Sequence, residues 1–181
     1  MGALSALPVA GGRIVATACR RTRLVKRILV PTDGSRRALE AARYAAELAR
    51  SLGADITLLH VVEMVLPPEA YLDGIDRDRL RSEFIEGGKA ILALTRGPVA
   101  EAGVPVDVEL REGHPGDAIV EMAAQGRYDL IVMGSRGLGL AQKLLLGSVS
   151  EHVVRNAPCP VLIVRGDWPG RSAEEAGKPQ E

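Results

Sequence analysis

The segment Gly134-Ser135-Arg136-Gly137-Leu138-Gly139, followed by Leu140 to Leu146 and then Gly147-Ser148-Val149-Ser150-Glu151, has the residue types of an anion site. Glycine permits positive φ and close backbone approach, so successive N–H groups converge on an anion. Ser148 stands where a helix is predicted to begin, and Ser148 with Glu151 matches a capping box. A helix N-terminus adds free N–H groups and the positive end of its dipole, which together favour phosphate. The spacing alone describes equally well a tight strand-to-helix turn whose serine only caps.

Other chemistries fit less well. A P-loop requires lysine after its last glycine, and Gly147 is followed by Ser148. A dinucleotide fingerprint requires a third glycine where Gln142 stands, and it follows a first strand rather than a late one. His60, His114 and His152 are far apart in sequence and have no zinc-type spacing with Cys19 or Cys159. His60 reads as packed in a strand, His152 as packed or on the surface, and Cys159, between two prolines, lacks the partners of a nucleophile. Ser135 is not in a Gly-x-Ser-x-Gly elbow. No residue beyond Asp33 is suited to position water for efficient hydrolysis.

Composition narrows the field further. The 181 residues carry 23 basic and 23 acidic side chains, so a general polyanion binder is excluded and nucleic acid is not an expected partner. Aromatic residues make up 3%, too few for a base-stacking platform. No apolar run reaches the ~20 residues of a membrane span. Two cysteines cannot make a disulfide scaffold and suit a reducing cytoplasm. Residues 1–24 form a basic extension. It reads as a flexible, disordered extension, as a transit peptide or an arm that touches nucleic acid, or as a leader ahead of a true start at Leu24 or Val25.

These residues must be positioned by alternating strands and helices. Strands are predicted at Arg27–Pro31, Asp55–Val62, Val104–Leu110, Tyr128–Met133 and Pro160–Val164. Helices are predicted at Arg36–Leu52, from Asp76 to about Arg96, from His114-Pro115 to Gly126, and at Ser148–Asn156. Ser35 and Gly53 read as the caps of the first helix, and Leu80, Phe84, Ile91 and Leu94 as the inner side of the second. Gly97-Pro98 should break or kink that second helix. Pro105 marks an edge strand. Residues 63–75, with Pro67-Pro68, read as a stiff flap, and 166–181 as a polar tail. The order points to a doubly wound α/β sandwich with parallel strands, whose ligands bind beyond the carboxyl ends at the topological switch point.

Three ordered motifs then meet a known family: Lys26-Arg27-Ile28-Leu29-Val30-Pro31-Thr32-Asp33-Gly34-Ser35, the glycine pattern Gly134, Gly137, Gly147, Ser148, and Pro158-Cys159-Pro160-Val161-Leu162-Ile163-Val164. Over residues 25–165 the chain resembles the ATP-binding branch of the universal stress proteins. The resemblance implies a three-layer open sheet of five parallel strands with helices on both faces, order 3-2-1-4-5. It implies ATP lying against Pro31, Thr32 and Asp33, with Asp33 facing the ribose or the metal–phosphate side. The alternative reading of Asp33 is a turn or cap residue, and Arg136 reads equally as a solvated loop arginine. Val61 and Val62 would meet adenine through the backbone, and Met133 and Gly134 would border ribose and base. Arg136 and Gly137 would run along the phosphates, and Gly147, Ser148, Val149 and Ser150 would hold the phosphate tail. Mg2+ or Mn2+ would accompany ATP through its phosphates. The last strand (Val161, Leu162, Ile163, Val164) would lie at a sheet edge and pair with a second copy to form a homodimer. The expected role is a cytoplasmic stress-response or signalling module with slow ATP hydrolysis at most. A nucleotide-dependent enzyme of the adenine-nucleotide hydrolase-like superfamily, or a scaffold that no longer binds nucleotide, are the alternatives.

Overall fold

The computed structural model describes residues 25–64, 77–135 and 146–165. Along the chain these form β1 (Arg27–Pro31), α1 (Arg36–Leu52), β2 (Asp55–Val62), α2 (Arg77–Glu101), β3 (Val106–Glu112), α3 (Pro115–Gln125), β4 (Leu130–Gly134), α4 (Ser148–Asn156) and β5 (Val161–Val164). Every strand pairing is parallel, in the order β3-β2-β1-β4-β5, as expected for a doubly wound α/β sandwich. The basic extension, the polar tail, most of the predicted flap, Arg136 and Gly137 lie outside the described residues.

The apolar runs of β1, β2 and β4 explain why the sheet is central. Alternate side chains of each run feed two cores, because successive residues of a strand point to opposite faces. Ile28, Val30, Ile56, Leu58 and Val132 pack under α1 and α2. Leu29, Leu59, Ile131 and Met133 pack under α3 and α4 with Ile119, Met122 and Val153. Helix α1 turns a face of Ala38, Ala41, Ala42, Ala45, Ala46 and Ala49 inward, and such small side chains let it lie close to the sheet. Its caps are those predicted: Ser35 Oγ accepts from Ala38 N–H at 3.2 Å, and Gly53 closes the helix at φ 62°.

Helix α2 departs from expectation. It runs through Gly97-Pro98 to Glu101 and is not broken there. Proline removes the N–H that would bond the Leu94 carbonyl, but Leu94 is exposed and water can serve that carbonyl. Beyond the proline Val99 is fully buried, so tertiary packing outweighs the local cost. The inner face also differs. Gly88, Leu92, Thr95 and Val99 are buried, whereas Phe84 and Leu94 are exposed. Gly88 sets how close α2 comes. A Cβ there would lie 2.6 Å from Leu110 Cδ1, 2.9 Å from His60 Cδ2 and 3.0 Å from Val62 Cγ2.

Strand limits shift for identifiable reasons. β3 starts at Val106 because Pro105 contributes only its carbonyl, which accepts from Ile56 N–H at 3.0 Å. β4 starts at Leu130 because Tyr128 N–H still bonds the Ala123 carbonyl at the end of α3. Asp129 Oδ2 accepts the N–H groups of Lys26 and Arg27 at 3.0 and 3.1 Å, and so ties the entrances of β1 and β4 together.

Candidate nucleotide site

Strand β1 is the centre of the reversal in strand order, with β2 on one side and β4 on the other. The chain leaves β1 for the helices of one face and leaves β4 for those of the other. A crevice at the carboxyl ends of these strands is where ligands of such sheets bind. Pro31, Thr32 and Asp33 stand at the exit of β1, Val61 and Val62 at the end of β2, Met133 and Gly134 at the end of β4, and Gly147 to Ser150 at the start of α4.

The exit of β4 and the start of α4 are joined directly. Gly147 N–H donates to the Ser135 carbonyl at 2.9 Å, and Ser135 N–H donates to the Val164 carbonyl at 3.0 Å. Ser150 is buried, and its hydroxyl donates to the Gly134 carbonyl at 3.0 Å. The Ser150 side chain is therefore a fastener between strand and helix. Only its backbone N–H remains for the phosphate role expected of it.

The capping box does not form. Gly147 occupies the cap position at φ −77° and ψ 161°, with no side-chain cap bond, and Ser148 is the first helical residue. Glu151 pairs instead with Arg155 at 2.7 Å. The backbone explains this: Gly147 already has the extended cap conformation, and its carbonyl accepts the first helical bond from Glu151 N–H at 2.9 Å. The N–H groups of Ser148, Val149 and Ser150 have no partner within the helix, as in the first turn of any α-helix. They present the positive end of the helix dipole beside the exit of β4.

The exit of β1 is tied to β2 and α2. Thr32 N–H donates to the Leu59 carbonyl at 2.8 Å, and the buried Thr32 hydroxyl lies 3.0 Å from that of Thr95. Thr95 Oγ1 also lies 2.9 Å from the Ile91 carbonyl, to which it donates. The Thr32 side chain is thus engaged within the protein, where it also accepts from Gly34 N–H at 3.2 Å. Asp33 Oδ1 accepts from Ser35 N–H at 3.0 Å, the turn geometry weighed as its alternative reading. His60 Nδ1–H donates to the Thr32 carbonyl at 2.8 Å.

Sequence reasoning missed Ser135, Thr95 and His60 as supports of this site. Their bonds run to elements distant in the chain, and no spacing marks them. It also missed that His114 and His152 meet. His152 Nε2 lies 2.9 Å from Asp117 Oδ1, His114 Nδ1 lies 3.4 Å from Asp117 Oδ2, and the ring centroids are 6.0 Å apart. Among the described residues no group of 3 or more His, Cys, Asp or Glu is arranged to hold a metal ion. No helix among them is long and apolar enough to cross a membrane.

A five-stranded parallel sheet of this order, with helices packed on both faces, defines a doubly wound α/β protein. Residues 25–165 match the Universal stress protein family, and the chain belongs to that family. It is 40% identical over 143 residues to a universal stress protein of Methanocaldococcus jannaschii, covering 78% of this chain and 83% of the relative. Its structure is similar to the universal stress protein UspA from Lactobacillus plantarum, with a TM-score of 0.67, 29% identity, and coverage of 78% of this chain and 98% of that one. A universal stress protein in complex with cAMP matches with a TM-score of 0.60, 31% identity, and coverage of 78% and 97%. An Arabidopsis thaliana family member with AMP bound matches with a TM-score of 0.58, 25% identity, and coverage of 83% and 94%.

Proposed function

We infer that this chain is an ATP-binding signalling module of the universal stress protein family, working in the cytoplasm as a homodimer and turning ATP over slowly at most. The observation that carries the reading is the junction of Ser135 with Gly147. It holds the end of β4 against the start of α4, whose first N–H groups have no partner within the helix. Family members with cAMP and AMP bound support an adenine nucleotide as the ligand.

The phosphates would rest on the N–H groups of Ser148, Val149 and Ser150, with Arg136 and Gly137 along them. Ribose and base would border Met133, Gly134, Asp33 and Pro31, and adenine would meet the backbone of Val61 and Val62. Mg2+ or Mn2+ would be held by phosphate oxygens, with Asp33 the nearest carboxylate of the set. Such a site would stabilise a bound triphosphate, and its occupancy would act as a signal. For the dimer, β5 supports the reading. The sheet ends at this short apolar strand, and among the described residues no strand pairs with its outer row of backbone groups.

The test is titration of the purified full chain with ATP and GTP, after denaturing a sample to detect co-purified nucleotide. ATP should bind more tightly than GTP, and Gly137→Val should weaken ATP binding by about tenfold or more. Equal binding by Gly137→Val would refute the site. Turnover above about 1 s⁻¹ would make the protein an enzyme in the ordinary range.

A further inference from the structure

None of the residues placed against ATP belongs to α2, yet this helix holds the turn that leaves β1. The direction of the bonds is forced. The Ile91 carbonyl only accepts, so the single hydroxyl proton of Thr95 goes to it at 2.9 Å. Thr95 Oγ1 then has only a lone pair for Thr32, so the Thr32 hydroxyl, 3.0 Å away, is the donor of that pair. With its own proton committed, Thr32 Oγ1 accepts from Gly34 N–H at 3.2 Å. One chain of donors thus runs from the Gly34 amide through Thr32 and Thr95 to the backbone of α2. Thr95 is fully buried, where an unmade hydrogen bond is costly. Two further contacts close on the same turn. His60 Nδ1–H donates to the Thr32 carbonyl at 2.8 Å. Gly34, at φ 75°, seats against α2, and a Cβ there would lie 3.3 Å from both Cγ1 and Cγ2 of Ile91.

A turn held in this way is ordered before any ligand arrives, so binding does not have to supply the ordering. We propose that Thr95 and His60 are positioning residues through which α2 and β2 set the affinity of the nucleotide site. The inference rests on the nucleotide reading and extends it to residues that do not touch the ligand. It has a reciprocal consequence, because linked equilibria bias one another equally. If α2 steadies the turn for ATP, bound ATP steadies α2 around Thr95.

The test is ATP titration of the purified full chain with paired variants. Thr95→Val keeps the shape and removes the hydroxyl, and it should weaken ATP binding about fivefold or more. Thr95→Ser keeps the hydroxyl and loses the methyl group. Its stability should fall, while its ATP affinity stays within about twofold of wild type. His60→Leu and His60→Asn make a second pair that decides the matter if Thr95→Val does not fold. The asparagine amide nitrogen stands near the place of Nδ1 and still donates, so Asn should keep most of the affinity that Leu loses. Saturating ATP should also slow amide hydrogen exchange at Leu92, Thr95 and Arg96 in wild type, and not in Thr95→Val. Three results overturn the proposal: Thr95→Val and His60→Leu binding ATP as wild type does, Thr95→Ser weakened as much as Thr95→Val, or exchange in α2 unmoved by ATP. Failure of wild type to bind ATP refutes the nucleotide reading, and the proposal falls with it. Tight binding by wild type with unaltered variants refutes the proposal alone.

Discussion

The hydroxyl of Ser150, in the first turn of α4, donates to the carbonyl of Gly134, the last residue of β4, at 3.0 Å in a buried setting. One side chain thus fixes the angle at which the helix N-terminus faces the strand exit. Ser150→Ala leaves that buried carbonyl without this donor, which costs about 1–2 kcal/mol. Urea unfolding should show a lower midpoint with an unchanged slope. An unaltered midpoint would mean that the bond contributes nothing.

Adjacent glycines in α2 should respond in opposite directions. Gly88→Ala drives a methyl into Leu110, His60 and Val62, and overpacking of this kind costs about 1–3 kcal/mol. Gly87→Ala meets nothing within 4 Å and should stabilise the protein by about 0.5–1 kcal/mol through helix propensity. Thermal denaturation of the two variants side by side checks both signs.

Arg127 holds φ 50°, the one left-handed non-glycine residue among those described. An L-residue there carries a strain of roughly 1 kcal/mol that glycine does not. Arg127→Gly should raise the unfolding free energy by up to about that amount. A loss of stability would show that the arginine side chain contributes more than the strain it imposes.

The link between α2 and β3 is pH-dependent. Arg81 Nε and Nη2 donate to the two oxygens of Glu112 at 3.0 and 2.5 Å. The hydrogen bonds from Arg81 hold the Glu112 carboxyl below its ordinary range. A depressed carboxyl binds fewer protons in the folded state than in the unfolded one. Its contribution is therefore present above the ordinary glutamate range and lost as pH falls through the folded value. The stability gap between wild type and Glu112→Gln should be open at pH ~7 and narrow as the pH falls below the ordinary glutamate range. A gap that does not change with pH would rule out this ion pair as its source.

Burial, and secondarily the charge of Asp129, push the Cys159 thiol above its ordinary range. Less thiolate means slower attack on electrophiles. In a Cys19→Ser background, alkylation at pH ~8 should run slower than for a free cysteine. Reaction as fast as a free thiol would contradict the assigned environment.

Much of this protein was determined by local chemistry that a sequence displays. The apolar runs of β1, β2 and β4, the caps Ser35 and Gly53, and the anion-suited glycines of the segment after β4 are all governed by neighbours in the chain. So the doubly wound class was legible. What depended on distant partners was not. Pro98 sits within a helix because Val99 beyond it is buried in the core. Gly88 is required by side chains of β2 and β3, not by its own helix. Ser148 lost the cap position to Gly147, and Ser150 became a fastener, because the strand exit was close enough to supply other bonds. His114 and His152 met only when α3 packed on α4. Short-range propensity is written along the chain, whereas a hydrogen bond or close approach between remote residues exists only once packing has brought them together.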